Sequence, residues 1–346
     1  MESISRAIDD PAAATQLFRE VVEPLSDSFE RRAVDQYAQL FKAVPGCDFW
    51  RFQRARQPRR CIVDAADIVV LSRITLGADV AVTSVILDAA KKRFPSANIW
   101  FAGPMKNYEL FAADSRIQYI PVNYPRKGSI RERVSIAQNL QLPPDALVID
   151  PDSRITQLGL VSICLERDYY FFESRSYGEE TSEPLPRLAA SWCRETFGVT
   201  DARSYIAPLS TLEGADIAVS LGTGGNESKH LSADFEKELL VGLSSKGTVL
   251  IDRGAGGEEA ERVNLATAGL PNIRYSNGSF AEFAGAIARS KEYVGYDSSG
   301  QHIAAACGIP LTVYFTGLIN EKFRHRWHPY GPGKITVHNI PPEQLQ

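Results

Sequence analysis

Two strand–turn–helix segments, one in each half of the chain, hold residues whose types and spacing could do chemistry. The first is AADIVVLSRITLGADVAVTSVILDAAKKRFP (65–95) and the second is KEYVGYDSSGQHIAAACGIPLTVYF (291–315). In each, β-branched and aliphatic residues run into a polar, glycine-containing turn, and a small-residue helix pattern follows at once. Such a turn offers backbone N–H groups and the positive end of a helix to an anion. Two of them in different halves suggest two α/β domains with a ligand cleft between them. The first turn also carries Asp79. A carboxylate at the C-terminal end of a strand can take a proton from an attacking hydroxyl. The same acid would equally complement the macrodipole of the helix that it opens. A third turn, SLGTGG (220–225), brings Thr223, Gly224 and Gly225, which let a diphosphate approach the backbone closely, although such turns often only end a strand. The stretch DPDSRITQLG (150–159) offers Asp152, Arg154 and Gln157, either as contacts for hydroxyls or a charged group or as a turn and helix cap.

These residues need a scaffold, and hydrophobic periodicity outlines one. From residue 61 the pattern alternates between strand and helix. Strands are expected at 68–73, 97–103, 117–122, 146–151 and 168–174, with helices at 80–94 and 129–140. The polar, Glu- and Pro-rich stretch 176–187 reads as a loop before a helix at 188–197. A second alternation then begins, with a strand running into the glycine-rich turn over 215–225, strands at 248–254, 273–276 and 293–297, and helices at 232–245, 258–268 and 279–289. The order implies parallel βαβ units with right-handed crossovers. Ahead of them, Leu17, Val21, Val22, Leu25, Tyr37, Leu40 and Phe41 fall at helical spacing and predict two or three helices. The run RFQRARQPRR (51–60) could meet an acidic membrane surface or an anionic acceptor, or be a solvated connector. The chain thus divides into a helical extension and basic linker (1–60), one α/β domain (61–205) and a second (206–346).

At 346 residues the chain suits two domains and an extension. A net charge of −4 argues weakly against a dedicated nucleic-acid binder. The cysteines Cys47, Cys61, Cys164, Cys193 and Cys307 show no CxxC spacing and read as reduced, mostly buried small apolar residues. His325 and His328 lack nearby acids or cysteines, so no metal site is expected. The N-terminus has no apolar stretch of secretory length, and no window is apolar enough to span a bilayer. The expectation is a cytoplasmic protein, at most peripheral to a membrane.

In order along the chain, four landmarks resemble glycosyltransferase family 9, the bacterial heptosyltransferases. LSRITLGADVAVTS is similar to the family's strand, Gly-Asp turn and helix, except that Ala78 precedes the acid and Gly77 stands one place earlier. SLGTGGNESKHLSADFEKELLVGL resembles the family's polar turn leading to Lys-x-Trp-Pro. Lys229 takes the lysine position, His230 and Leu231 stand where x-Trp would be, and Ser232 replaces Pro. RGAGGEEAERV (253–263) resembles the Gly-x-x-x-Glu segment, with Glu258 the best match and Glu259 the alternative; either could also be a plain helix-start acid. YVGYDSSGQHIAAACGIPLTVYF resembles the stretch Asp-Thr-Gly-Pro-x-His-x-Ala-Ala-Ala-x-Gly-x-Pro. Asp297, His302, Ala304 to Ala306, Gly308 and Pro310 fall in place; Ser298 replaces Thr, and Ser299 and Gly300 stand for Gly and Pro. The late segment KFRHRWHPYGPG (322–333) resembles the family's closing loop and could bring Arg324 or Arg326 near phosphate.

The resemblance covers roughly residues 61–335 and implies the GT-B fold: α/β, with two facing Rossmann-like domains of parallel sheet, plus the N-terminal helical extension. It implies inverting transfer of a heptose-like sugar from a nucleotide-diphosphate donor, ADP-heptose in the family's usual case. The acceptor would be a hydroxyl of a glycan or lipopolysaccharide. Asp79 would be the general base. Thr223, Gly224, Gly225 and Lys229, with the backbone of Ser298, Ser299, Gly300 and Gln301, would stabilise the departing diphosphate without metal or other cofactor. Glu258 would meet the ribose, Asp297 would orient its turn, and His302 is read as structural. The departures at Ala78, Leu231 and Ser232 keep open a noncatalytic nucleotide-sugar binding or scaffold protein. A GT-B epimerase or hydrolase also stays open. A nicotinamide oxidoreductase is disfavoured, because neither turn gives GxGxxG followed by an acid at the required distance.

Overall fold

A computed structural model of the chain describes residues 2–223, 230–254, 256–316 and 320–341. The chain forms two compact units, one of residues 1–108, 115–204 and 319–328, the other of residues 109–114, 205–318 and 329–346.

The first unit begins with helices α1 (Glu2–Ala7), α2 (Pro11–Leu17), α3 (Glu23–Asp27), α4 (Arg31–Phe41) and α5 (Phe49–Ala55). Local chemistry sets their starts. Asp10 accepts from the N–H groups of Ala12 and Ala13 and Pro11 opens α2, while Asp48 caps α5 through the N–H of Arg51. A π-helical turn, Phe18–Val22, links α2 to α3. The basic run expected as a connector therefore begins inside a helix, because Phe49 and Phe52 bury one face of α5.

A parallel sheet follows, in the order β3-β2-β1-β4-β5, from β1 (Asp67–Leu71), β2 (Asn98–Gly103), β3 (Ile117–Pro121), β4 (Leu147–Asp150) and β5 (Tyr169–Phe171). Between them run α6 (Leu76–Ala78), α7 (Ser84–Arg93), α8 (Met105–Tyr108) and α9 (Ile130–Gln138), and α10 (Leu185–Phe197) follows β5. Parallel strands are covered on both faces, so they read as continuous apolar runs such as DIVVL. One face, including Val69, Leu71, Val148 and Phe171, shares a core with Leu17, Phe18, Val22, Val34, Tyr37 and Phe52 of the extension. The extension therefore builds much of the helical layer over this face. Helix α10 starts inside the expected loop: Pro184 is its N-cap and Pro186 lies in its first turn, where a fixed φ favours the helix.

The second unit holds six parallel strands in the order β11-β10-β9-β6-β7-β8. They are β6 (Ile217–Ser220), β7 (Val249–Asp252), β8 (Ile273–Ser276), β9 (Glu292–Tyr296), β10 (Leu311–Phe315) and β11 (Ile335–Asn339). The helices are α11 (Ala233–Ser244), α12 (Gly257–Thr267), α13 (Phe280–Ala288) and α14 (Ser299–Ala306); α15 (Glu321–Arg326) lies in the first unit. Ser232 caps α11, and Ser279 with Glu282 forms a reciprocal capping box on α13. The edge strand β11 was not expected from the sequence. It pairs in register with β10, Leu311 opposite Ile335.

Candidate functional site

In the first unit the C-terminal ends of β1, β4 and β5 carry a closed polar network. Asp79 is wholly buried. Its Oδ1 accepts from the N–H of Arg73 at 2.7 Å and from Thr83 Oγ1 at 2.6 Å. Its Oδ2 accepts from Ser72 Oγ and from Asn107 Nδ2, both at 2.6 Å. Four donors fill the acceptor sites of a carboxylate. Burial raises the Asp79 pKa above the ordinary carboxylate value, against the pull of these donors. The acid begins a π-helical turn, Asp79–Thr83, between α6 and α7.

The turn braced by Asp79 is strained. Ile74 sits at φ +72°, a costly conformation for a β-branched residue. Its N–H donates to Ser72 Oγ at 2.8 Å, and its carbonyl accepts from Arg126 Nη2 at 2.7 Å. Asp152, after the neighbouring β4, sits at φ +69°. Buried Arg73 donates to the carbonyl of Pro151 at 2.9 Å and to Ser174 Oγ at 2.5 Å. Burial lowers its pKa to about 10. Ser174 Oγ donates on to Asp152 at 2.8 Å, and Arg175 pairs with Asp152. Asp150 accepts from the N–H of Ser153, Thr156 Oγ1 and the Tyr169 hydroxyl, and burial lifts its pKa to about 6.

Of the acceptor-side candidates, Asp152 and Gln157 are therefore interior. Gln157 Nε2 donates to the Arg154 carbonyl at 2.8 Å, and its own carbonyl accepts from the Tyr37 hydroxyl at 3.1 Å. Arg154 is half-buried and pairs with Glu23 of the extension at 3.2 Å. Sequence reasoning missed Ser72, Arg73, Thr83, Asn107 and Asp150. Of these, Ser72, Arg73 and Asp150 carried a signal, as polar residues ending apolar strands.

The second unit finishes its strands differently. After β6, Thr223 is half-buried with Oγ1 at 3.1 Å from His230 Nε2. Gly224, Gly225 and Lys229 lie outside the described residues. After β7, a Cβ on Gly254 would stand 2.1 Å from Glu259 Oε2, and one on Gly222 would stand 2.4 Å from Glu259 Oε1. Glycine at both places lets the Glu259 carboxylate lie against the ends of β6 and β7. Glu258 is exposed. After β9, Asp297 Oδ1 accepts from the N–H and Oγ1 of Thr316 at 2.9 and 3.0 Å, fixing the end of β9 to that of β10. Ser298 is the N-cap of α14, yet its side chain makes no capping bond. Ser298 and Ser299 are half-buried, while Gly300, Gln301 and His302 are buried. A Cβ on Gly300 would fall 2.2 Å from the Tyr293 hydroxyl, so the first turn of α14 rests directly on that ring.

Arg326 is buried and donates to the carbonyls of Gly178 at 2.6 Å and Glu183 at 2.7 Å, and Arg324 pairs with Glu321 at 3.4 Å. Among the described residues no cluster of His, Cys, Asp and Glu could hold a metal ion. None of the described helices is long and apolar enough to cross a membrane.

No protein-family model matches the chain, and no curated protein sequence matches it. Solved structures do. A glycosyl transferase family 9 protein from Veillonella parvula superposes with a TM-score of 0.59 at 17% identity, over 81% of this chain and 88% of that one. Heptosyltransferase WaaC of E. coli, solved with ADP-2-deoxy-2-fluoro heptose, gives 0.58 at 18% identity over 80% and 94%. The E. coli ADP-heptose lps heptosyltransferase II gives 0.53 at 17% identity over 80% and 96%. At such identities the likeness establishes the fold, a GT-B heptosyltransferase-like α/β architecture with two parallel sheets.

Proposed function

We propose that the chain is an inverting glycosyltransferase. It would move a heptose-like sugar from a nucleotide-diphosphate donor, ADP-linked by analogy with the neighbours' ligands, to a hydroxyl of a glycan or lipopolysaccharide-type acceptor in the cytoplasm. The observation that carries this reading is the fold shared with heptosyltransferases over about four-fifths of the chain. The site geometry adds chemical sense. The first turn of α14 offers backbone N–H groups that no Ser298 side chain caps, which suits a diphosphate without a metal. Ser298, Ser299, Gly300 and Gln301 would hold the leaving group, with Thr223, Gly224, Gly225 and Lys229 completing its charge balance. Glu258 or Glu259 would take the ribose, and Asp297 would keep the turn in place. Arg154, and Asp152 and Gln157 behind it, would shape the acceptor side.

Asp79 would take the acceptor proton, and burial, which raises its pKa above the ordinary carboxylate value, makes it a stronger base than a solvated aspartate. With four donors already on it, this requires one of them to be displaced when the acceptor binds. The same saturation favours a second role, in which Asp79 only holds the strained turn at Ile74. The first experiment is a calorimetric titration with ADP in the absence of metal, with GDP, UDP, dTDP and NAD as comparators and Lys229→Ala as control. Binding of one nucleoside diphosphate, weakened by the substitution, is expected; if none binds, the transferase reading fails. Asp79→Asn should then abolish transfer while donor affinity stays within twofold. Transfer retained in that variant would leave Asp79 the positioning role alone.

A further inference from the structure

We propose that the first unit carries a separate site for a phosphorylated sugar at the outer edge of its sheet. A cavity of about 310 Å³ opens beside β5, walled by linker residues 56–60, the start of α4, the segment after β5 and the C-terminal part of α10. That volume lies at the small end of ordinary ligand pockets and suits a hexose phosphate.

The case begins with arginines. Four of them, Arg31, Arg56, Arg59 and Arg60, line the cavity. Two are committed to the fold. Arg56 pairs with Asp35 at 2.7 Å, and Arg59 donates to the carbonyls of Glu166, Arg167 and Tyr169 while stacking on the Tyr170 ring at 4.1 Å. Arg31 and Arg60 are exposed, and among the described residues neither side chain has an ion pair or hydrogen bond. Guanidinium forks match the oxygens of a phosphate dianion.

The remaining walls point to what the phosphate is attached to. Trp192, Phe171 and Tyr177 give the cavity aromatic surface, against which the C–H face of a sugar ring can pack. Gln57, Thr196 and Glu195 add amide, hydroxyl and carboxylate groups that hydrogen-bond to sugar hydroxyls. A site for inorganic phosphate alone would gain nothing from a carboxylate wall. Glu173 also faces the cavity, and burial pushes its pKa up to about 7, so near neutrality much of it carries no charge against the anion. None of the lining residues belongs to the 72–79 turn, and the inference does not rest on sugar transfer.

The test is calorimetry of the full chain with glucose 6-phosphate, inorganic phosphate, glucose and an oligosaccharide ending in a 6-phosphorylated hexose. Glucose 6-phosphate is expected to bind at least tenfold more tightly than inorganic phosphate, and glucose not to bind. The Arg31→Ala/Arg60→Ala double variant removes two exposed, unpaired side chains. It should keep the wild-type melting temperature and lose at least tenfold in affinity. Arg54→Ala, which removes a cation that lies outside the cavity and pairs with Glu166, should leave the affinity unchanged. Binding of the free sugar phosphate or of the oligosaccharide supports the site, and their ratio names the natural source. No saturable binding overturns it, as does binding that the double variant leaves intact or that ADP displaces. Inorganic phosphate binding as tightly as glucose 6-phosphate overturns the sugar.

Discussion

At the end of β1 a wholly buried carboxylate, Asp79, gathers four donors around a backbone turn in which Ile74 is forced to positive φ. At the end of β9 a half-buried carboxylate, Asp297, holds Thr316, and the following helix begins with small residues, one of them Gly300. The first unit obtains its turn geometry from side chains, which then fill the space beside the strands. The second leaves side chains out at Gly222, Gly254 and Gly300, so that the Glu259 carboxylate and the Tyr293 ring lie directly against the backbone there. A closed network fixes a shape before any ligand arrives, whereas a glycine-lined strand end lets a ligand's own phosphates complete the hydrogen bonding.

The sharpest way to break this contrast is to remove the two carboxylates in parallel. Asp79→Ala would orphan the N–H of Arg73, Ser72 Oγ, Thr83 Oγ1 and Asn107 Nδ2 away from water. The expected cost is about 3–5 kcal/mol, from the price of unsatisfied buried donors. Asp297→Ala strips two donors at a half-buried position and should cost roughly 1 kcal/mol. Urea denaturation of both variants measures the difference. Equal costs would mean that the two strand ends are built alike and that the closed network is not what holds Ile74.

The next effect concerns the glycine side of the contrast. Gly300→Ala would drive a Cβ to 2.2 Å from the Tyr293 hydroxyl. Overpacking of this kind costs roughly 1–3 kcal/mol. It should also tilt the first turn of α14 and weaken nucleoside diphosphate binding. Tyr293→Phe removes the nearest atom but leaves the ring carbons Cζ and Cε2 at 2.6 and 2.8 Å, so the double variant should regain only part of the stability and affinity, and Tyr293→Leu in its place should regain more. If affinity falls in Gly300→Ala and neither double variant restores any of it, close packing on Tyr293 is not the reason for the glycine.

The sequence shows some of this and hides the rest for definite reasons. Strands such as DIVVL and VLID stand out because parallel sheets bury both faces, and Asp79, Asp297 and the glycine turns are visible as breaks after them. Strand β11 is hidden because it is a half-exposed edge without a continuous apolar run. Helix α5 is hidden in a basic run, since two phenylalanines suffice to dock a helix of that length. Two partners of Asp79, Thr83 and Asn107, could not be read at all. Asn107 comes from the short helix after β2, and no local pattern ties it to a turn after β1.

The smallest effect addresses a choice that periodicity cannot make. Glu258 and Glu259 are adjacent, and one step along a helix turns a side chain by about 100°. Sequence alone cannot say which of them faces the strand ends. Glu258 is exposed, while the Glu259 carboxylate lies where a Cβ on Gly222 or Gly254 would collide with it. A carboxylate so placed can accept two hydrogen bonds from the vicinal hydroxyls of a ribose, each worth on the order of 1 kcal/mol net. Glu259→Gln should therefore weaken ADP binding about tenfold or less and narrow the preference for ADP over its 2′,3′-dideoxy analogue. Glu258→Gln should leave both unchanged. The reverse pattern would show that the start of α12 is rotated in the bound state, and that the glycines at 222 and 254 make room for the nucleotide itself and not for the acid.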